Sequence, residues 1–162
     1  MYMQRPVANI NHNILLLHHK KKVIYHSIKS LLSLLKKHLF LTYFIALVWI
    51  INGLFCKVLN FVPRHEQIVA RVLGESHARL FTLLIGIAEV LMAVWILLRI
   101  KPAINATLQI VIVLTMNVIE FIYASDLLLW GKLNIIFALL FAVVIFNNAF
   151  ILQRNLKMQR TS

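Results

Sequence analysis

Ala103–Asp126 reads AINATLQIVIVLTMNVIEFIYASD, a stretch long enough to cross a bilayer that carries Asn117 and Glu120 where lipid tails would be expected. A transmembrane helix needs about 20 mostly apolar residues, and Ala103 to Tyr123 meets that length. A charge at the centre of such a helix costs roughly 3 kcal/mol on insertion scales, so Glu120 is expected to face neighbouring helices. Asn105, Gln109, Val113, Asn117, Glu120 and Ala124 recur at intervals of three or four, which gathers the strongly polar side chains on one stripe. The rest of the chain has to cover that stripe.

Composition points the same way. Of 162 residues, 61% are hydrophobic and only 14% charged, far too apolar for a soluble domain of this size. Four windows reach spanning length between charged boundaries: about 39–59, 80–98, 103–124 and 133–152. The fold class expected is all-α, a membrane-embedded four-helix bundle, preceded by a basic leader over 1–38 and followed by a basic tail over 153–162. No short apolar run precedes a small-residue cleavage site, so the first span is expected to act as an uncleaved anchor. Cys56 is the only cysteine, which excludes an internal disulfide and a CxxC redox pair.

The leader holds Arg5, Lys20, Lys21, Lys22, Lys29, Lys36 and Lys37 and no acidic residue. Its Ile24, Ile28, Leu31, Leu32 and Leu35 follow helical spacing, the pattern of a helix lying on an anionic membrane surface. Nothing in it resembles a nucleic-acid recognition module, and positive-inside bias accounts for the charge, so no nucleic-acid partner is expected. His12, His18, His19 and His26 are scattered among lysines without acidic or cysteine partners and predict no metal site.

In the first span Thr42, Ala46, Trp49, Gly53, Cys56 and Asn60 form a mostly small or polar stripe, and in the second Thr82, Gly86, Glu89 and Ala93 share a face. Glu89 stands ten residues from both Arg79 and Arg99, close to mid-membrane. Between these spans, Pro63 is placed to open a short outer helix and Gly74 to end it, with Ser76 as a candidate cap for the next helix and Arg79 at the headgroups. His65-Glu66 is not a zinc-protease motif, because Val69 stands where the second histidine belongs. Ala138, Ala142, Ile145 and Ala149 make a packing stripe in the fourth span.

Twelve basic residues fall in the leader, the Arg99–Lys101 turn and the tail, against five elsewhere (Lys57, Arg64, Arg71, Arg79 and Lys132). Both termini are therefore expected in the cytoplasm, with the bilayer of a bacterial inner membrane as the first partner. Counted at 1.5 Å per residue from the inner edge, Lys57 lies at about 27 Å and Glu120 at about 25 Å. Lys57 alone reads as a snorkelling lysine, but on this shared level it is expected to pair with Glu120. With Asn52, Asn117, Asn134 and Glu89 they form either an outward pocket or a network that fixes packing; the two readings stand equal.

The residues also carry a family pattern: Trp49-Ile-Ile-Asn52-Gly53-Leu-Phe-Cys-Lys57, Pro63-Arg64-His65-Glu66-Gln67-Ile-Val-Ala-Arg71, Glu89, Met116-Asn117 through Glu120, and Asp126-Leu-Leu-Leu-Trp130-Gly131-Lys132-Leu-Asn134. Over roughly Phe40 to Leu152 the chain resembles the DoxX-like family of small four-helix membrane proteins. The resemblance implies a small membrane subunit of a quinol oxidase or thiosulfate:quinone oxidoreductase, although no haem-ligating, flavin or disulfide motif is present. A quinone, or else a lipid, is the bound molecule this suggests, a quinone placing its head group among Asn52, Lys57, Asn117 and Glu120. Two other functions remain open. An assembly factor or chaperone would hold a protein partner, or a second copy, on Arg64, His65, Glu66 and Arg71, and a small proton-coupled carrier would titrate Glu89 and Glu120.

Overall fold

A computed structural model describes residues 5–128 and 130–161, with side chains from residue 16 to 159 outside position 129. Among these residues the protein is helical throughout its regular structure. Helix α1 runs Arg5–Ile50 and passes without a break into a π-helical segment, Ile51–Val58. Helices α2 (Arg64–Leu73), α3 (Ala78–Leu98), α4 (Pro102–Tyr123) and α5 (Asn134–Phe146) follow, and α5 continues through a second π-helical segment, Asn147–Leu152, into α6 (Gln153–Thr161). Four of these helical runs are long and apolar enough to cross a membrane. The protein is an integral membrane protein.

The expected breaks near residues 38 and 152 do not occur. Leader and first span form one rod, as do fourth span and tail, and Gln159 Nε2 donates to Ser30 Oγ at 3.0 Å where the two rods lie side by side. The reason is local: no proline or glycine lies between Val7 and Asn52, so nothing interrupts the helical ladder. The leader, expected as a separate surface helix, instead continues the axis of the first span.

The first span packs chiefly on α3, and α4 on α5. Their common core is built from Ile45, Ala46, Trp49, Met92, Ala93, Ile96, Ala106 and Ile145. Alanines at the crossings let the helices approach, which matters in lipid, where association rests on packing rather than on hydrophobic exclusion from water. The opposite faces expose Leu80, Leu84, Leu91 and Leu98 of α3 and Leu139, Leu140 and Val143 of α5, the side presented to lipid.

Two connections set the positions of the functional groups. Helix α2 starts after Pro63 and ends at Gly74, whose φ of 95° takes a backbone conformation closed to other residues. It turns Ile68 and Val69 into the bundle, so it lies across the end of the helices at which the first span stops. No side chain caps α3: Ser76 sits in a 3₁₀ turn, Glu75–His77, and the cap position is His77. At the other end the basic turn places Arg99 and Lys101 at positive φ, and Trp95 Nε1 donates to the Ile100 carbonyl at 2.7 Å to hold it closed.

Candidate functional site

A close helix contact joins the first span to α3. A Cβ added to Gly53 would lie 2.6 Å from the Gly86 carbonyl oxygen, and one added to Gly86 would lie 2.8 Å from that of Gly53. Each glycine therefore lets the other backbone in. Four residues beyond Gly53 comes Lys57, and three beyond Gly86 comes Glu89.

Those two side chains meet. Lys57 Nζ donates to both carboxylate oxygens of Glu89, at 2.6 and 2.7 Å, and Lys57 is buried to 7% exposure. This corrects two expectations, for Lys57 neither snorkels nor hydrogen-bonds to Glu120. Heights along the helix axes compared the Cα atoms alone, whereas helical side chains tilt toward the N-terminus of their own helix. Lys57 leans back along the first span on a four-carbon stem, and Glu89, on the antiparallel α3, leans the opposite way to meet it. Glu120 stands on α4, which runs the same way as the first span, so its side chain leans in the same direction as that of Lys57 and is not turned to meet it.

The π-helical turns shape the same place. Leu59 N–H bonds to the Leu54 carbonyl, the wide i to i−5 pattern, which inserts an extra residue into the turn carrying Asn52 to Lys57. Arg79 then donates to the Lys57 and Val58 carbonyls, both at 2.8 Å, satisfying acceptors that the end of a helix leaves orphaned. The residue expected at the headgroups thus fastens the end of the first span.

Above the ion pair opens a cavity of about 370 Å³. All six residues expected to form a ligand site or polar network, Asn52, Lys57, Glu89, Asn117, Glu120 and Asn134, line it, together with Arg64 and His65 of α2. Apolar walls come from Val48, Ile112, Met116, Phe137 and Phe141, with Trp130 at the rim. The groups divide into two kinds. Asn134 Nδ2 donates to Asn117 Oδ1 at 3.1 Å, and Asn117 Nδ2 returns to the Val113 carbonyl at 2.9 Å, so these amides are largely engaged. By contrast, the Asn52 amide, the Glu120 carboxyl group and the His65 ring make no hydrogen bond among the described residues, and the Nε of Arg64 is buried without a partner. Asn117 and Asn134 thus belong to a hydrogen-bonded network, whereas Asn52, Glu120 and His65 face the cavity unbonded.

Burial pushes His65 down to about 4, and the nearby positive charges of Lys57 and Arg64 add to the shift. At neutral pH its imidazole is uncharged, offering one donor and one acceptor. The remaining members of the outer-loop set are occupied within the chain. Glu66 accepts from Asn60 at 3.3 Å and lies 3.9 Å from Arg79, and Arg71 pairs with Asp126 at 2.5 Å. The hydrogen bond from Arg71 holds the exposed Asp126 carboxyl below its ordinary value.

A second polar layer lies toward the opposite end of the bundle, and sequence reasoning missed its pairing. Trp49 Nε1 donates to Gln109 Oε1 at 2.9 Å, Gln109 Nε2 to Asn105 Oδ1 at 2.5 Å, and Asn105 Nδ2 contacts the Met92 sulfur at 3.4 Å. Asn148 of the second π-helical segment bonds both His38 Nδ1, at 2.8 Å, and Thr42 Oγ1, at 3.0 Å. These groups satisfy one another, and Trp49 forms the floor of the cavity. The polar stripe of α4 is thereby split, with Asn105 and Gln109 in the inner network and Asn117 and Glu120 at the cavity. No group of three or more histidine, cysteine, aspartate or glutamate side chains is placed to hold a metal among the described residues.

Comparison with known proteins bears on the same region. A family model described as the DoxX-like family matches residues 46–146, which include every cavity-lining group named above. No curated protein and no solved structure matches the chain.

Proposed function

The chain belongs to the DoxX-like family, and on that premise we propose that its outward cavity holds the head group of a lipid-soluble quinone on behalf of a redox partner protein. The observation that carries this reading is the set of polar groups without hydrogen bonds, Asn52, Glu120 and His65, facing one apolar-walled cavity of about 370 Å³. Unpaired polar groups in such a place cost free energy unless water or a ligand satisfies them. Small-molecule sites in general combine apolar walls with a few fixed polar groups in a volume of about 300–1,000 Å³.

The residues fit a quinone ring. Its carbonyl oxygens accept hydrogen bonds, for which the Asn52 amide, the neutral His65 ring and the Arg64 guanidinium are donors; the hydroxyls of the reduced form would find an acceptor in Glu120. When bound, the quinone supplies the electron-carrying chemistry, for which this chain has no evident centre of its own. The chain's residues orient the ring, and the Lys57–Glu89 pair neutralises its own charges beneath it. In this reading the protein sits in a bacterial plasma membrane with both termini in the cytoplasm, and α2 faces the outside.

Purification in native lipid followed by mass spectrometry of the extract tests the proposal. A quinone should be present near one per chain, and both Asn52→Leu and Glu120→Gln should lower its occupancy at unchanged protein yield. Quinone no higher than in an unrelated four-helix membrane protein prepared alongside would refute it.

A further inference from the structure

Helix α1 is far longer than a membrane requires, and its residues 16–30 are uncovered. Every residue from 16 to 30 is exposed, and Gln159 of α6 meets α1 at Ser30, the end of this stretch. Along this stretch and into the covered turns, Leu17, Lys21, Ile24, Ile28, Leu31 and Leu35 follow spacings of four, three, four, three and four. That is a heptad seam, the pattern by which one helix lies along another. Leu17, Ile24 and Ile28 are 59%, 56% and 51% exposed, large apolar side chains for which a soluble rod has no use.

We propose that residues 16–30 of α1 are a docking strip for an acidic amphipathic helix of a partner protein, which lays its apolar seam on Leu17, Ile24 and Ile28 and sets a carboxylate against Lys21. Charge selects this occupant. Lys20, Lys21, Lys22 and Lys29 lie in the strip with no acidic residue, and Lys21 stands in the seam itself. A polar residue at a single seam position specifies the partner at a cost in stability, and here it asks for the opposite charge. A second copy of the chain would bring lysines against lysines. A membrane surface is disfavoured because the strip is collinear with the first span: Ile24 lies about 22 Å along the axis from Leu39, and no proline or glycine bends the rod between them. Nucleic acid would use the lysines but not the apolar seam.

The full chain, held in nanodiscs of zwitterionic lipid, tests this with synthetic helical peptides of four heptads. One peptide carries Leu and Ile in its seam, one Glu opposite Lys21 and further Glu at the flanking positions; a second has Lys for each Glu; a third is the acidic peptide with its residues scrambled. By fluorescence anisotropy the acidic heptad peptide should bind at least tenfold more tightly than either control. Ile24→Ser with Ile28→Ser, both at exposed positions, should weaken it about tenfold without changing the helical circular dichroism of the protein, and Lys21→Ile should abolish the preference for Glu over Leu at the facing position. Equal binding of the scrambled acidic peptide would reduce the strip to a charge patch and overturn the proposal. It would equally be overturned if anionic vesicles or duplex DNA bound the strip with the same dependence on Ile24 and Ile28, or if an Ile24→Cys chain formed disulfide dimers between two copies sharing one nanodisc.

Discussion

Removing the ammonium of Lys57 isolates the interaction that corrects the sequence reading. In Lys57→Met the Glu89 carboxylate keeps its place below the cavity but loses both hydrogen bonds, at 2.6 and 2.7 Å, that compensate it. Breaking a buried pair from one side costs about 3–5 kcal/mol, because the remaining charge is left uncompensated. The pair borders a cavity and its side chains are 9% and 12% exposed, so the lower end applies, about 3 kcal/mol. For a chain of this size that corresponds to a fall in Tm of about 6–12 °C. Lys57→Met combined with Glu89→Gln removes the charge on both sides and should recover more than half of that loss. Thermal unfolding in one detergent, followed by circular dichroism for the wild type, both single variants and the double variant, gives the coupling energy, expected above about 1.5 kcal/mol. A parallel cycle of Lys57→Met with Glu120→Gln should give a clearly smaller coupling. The placement of Lys57 is wrong if the Lys57–Glu89 effects add to within about 0.5 kcal/mol, or if Lys57 couples more strongly to Glu120 than to Glu89.

Gly53→Ala and Gly86→Ala each push a methyl group against the facing backbone, and each should cost about 1–3 kcal/mol by overpacking; a Tm within one degree of wild type for both would mean that the helices do not cross there. His65 contributes a defined acid sensitivity. Its folded pKa of about 4 lies below its ordinary value of 6.5, so the unfolded chain takes up the proton first, and stability falls as pH drops from about 6.5 to about 4 and is insensitive to this group on either side. His65→Gln should flatten the part of the Tm profile within that window, and an unchanged profile would contradict the burial of the ring. Reporter fusions check the orientation: an enzyme active only outside the cell should be silent after Ser162 and active at Gly74 and Gly131, and the reverse pattern would invert the topology.

The fold was legible because in a bilayer the requirements are one-dimensional. Spanning length and the ends of apolar windows are properties of consecutive residues, and they located α3 and α4 to within two residues, the short helix α2 between spans, and its stop at Gly74. The polar residues expected to gather in the outer half do line one cavity, because periodicity fixes which side of a helix a residue occupies. What the sequence left open was which side chain answers which. Lys57 bonds to Glu89 and not to Glu120 because the Gly53–Gly86 crossing sets the rotation of the first span on α3 and because side chains lean toward opposite ends on antiparallel helices. Likewise the division of the α4 stripe depends on Trp49 of a different helix reaching Gln109, and the inward turn of His65 depends on how α2 lies over the bundle. Composition and periodicity determined that the chain is a membrane helical bundle and which residues face inward; the pairing of those residues, and the polar groups left free for a ligand, were decided only by the packing of helices distant in sequence.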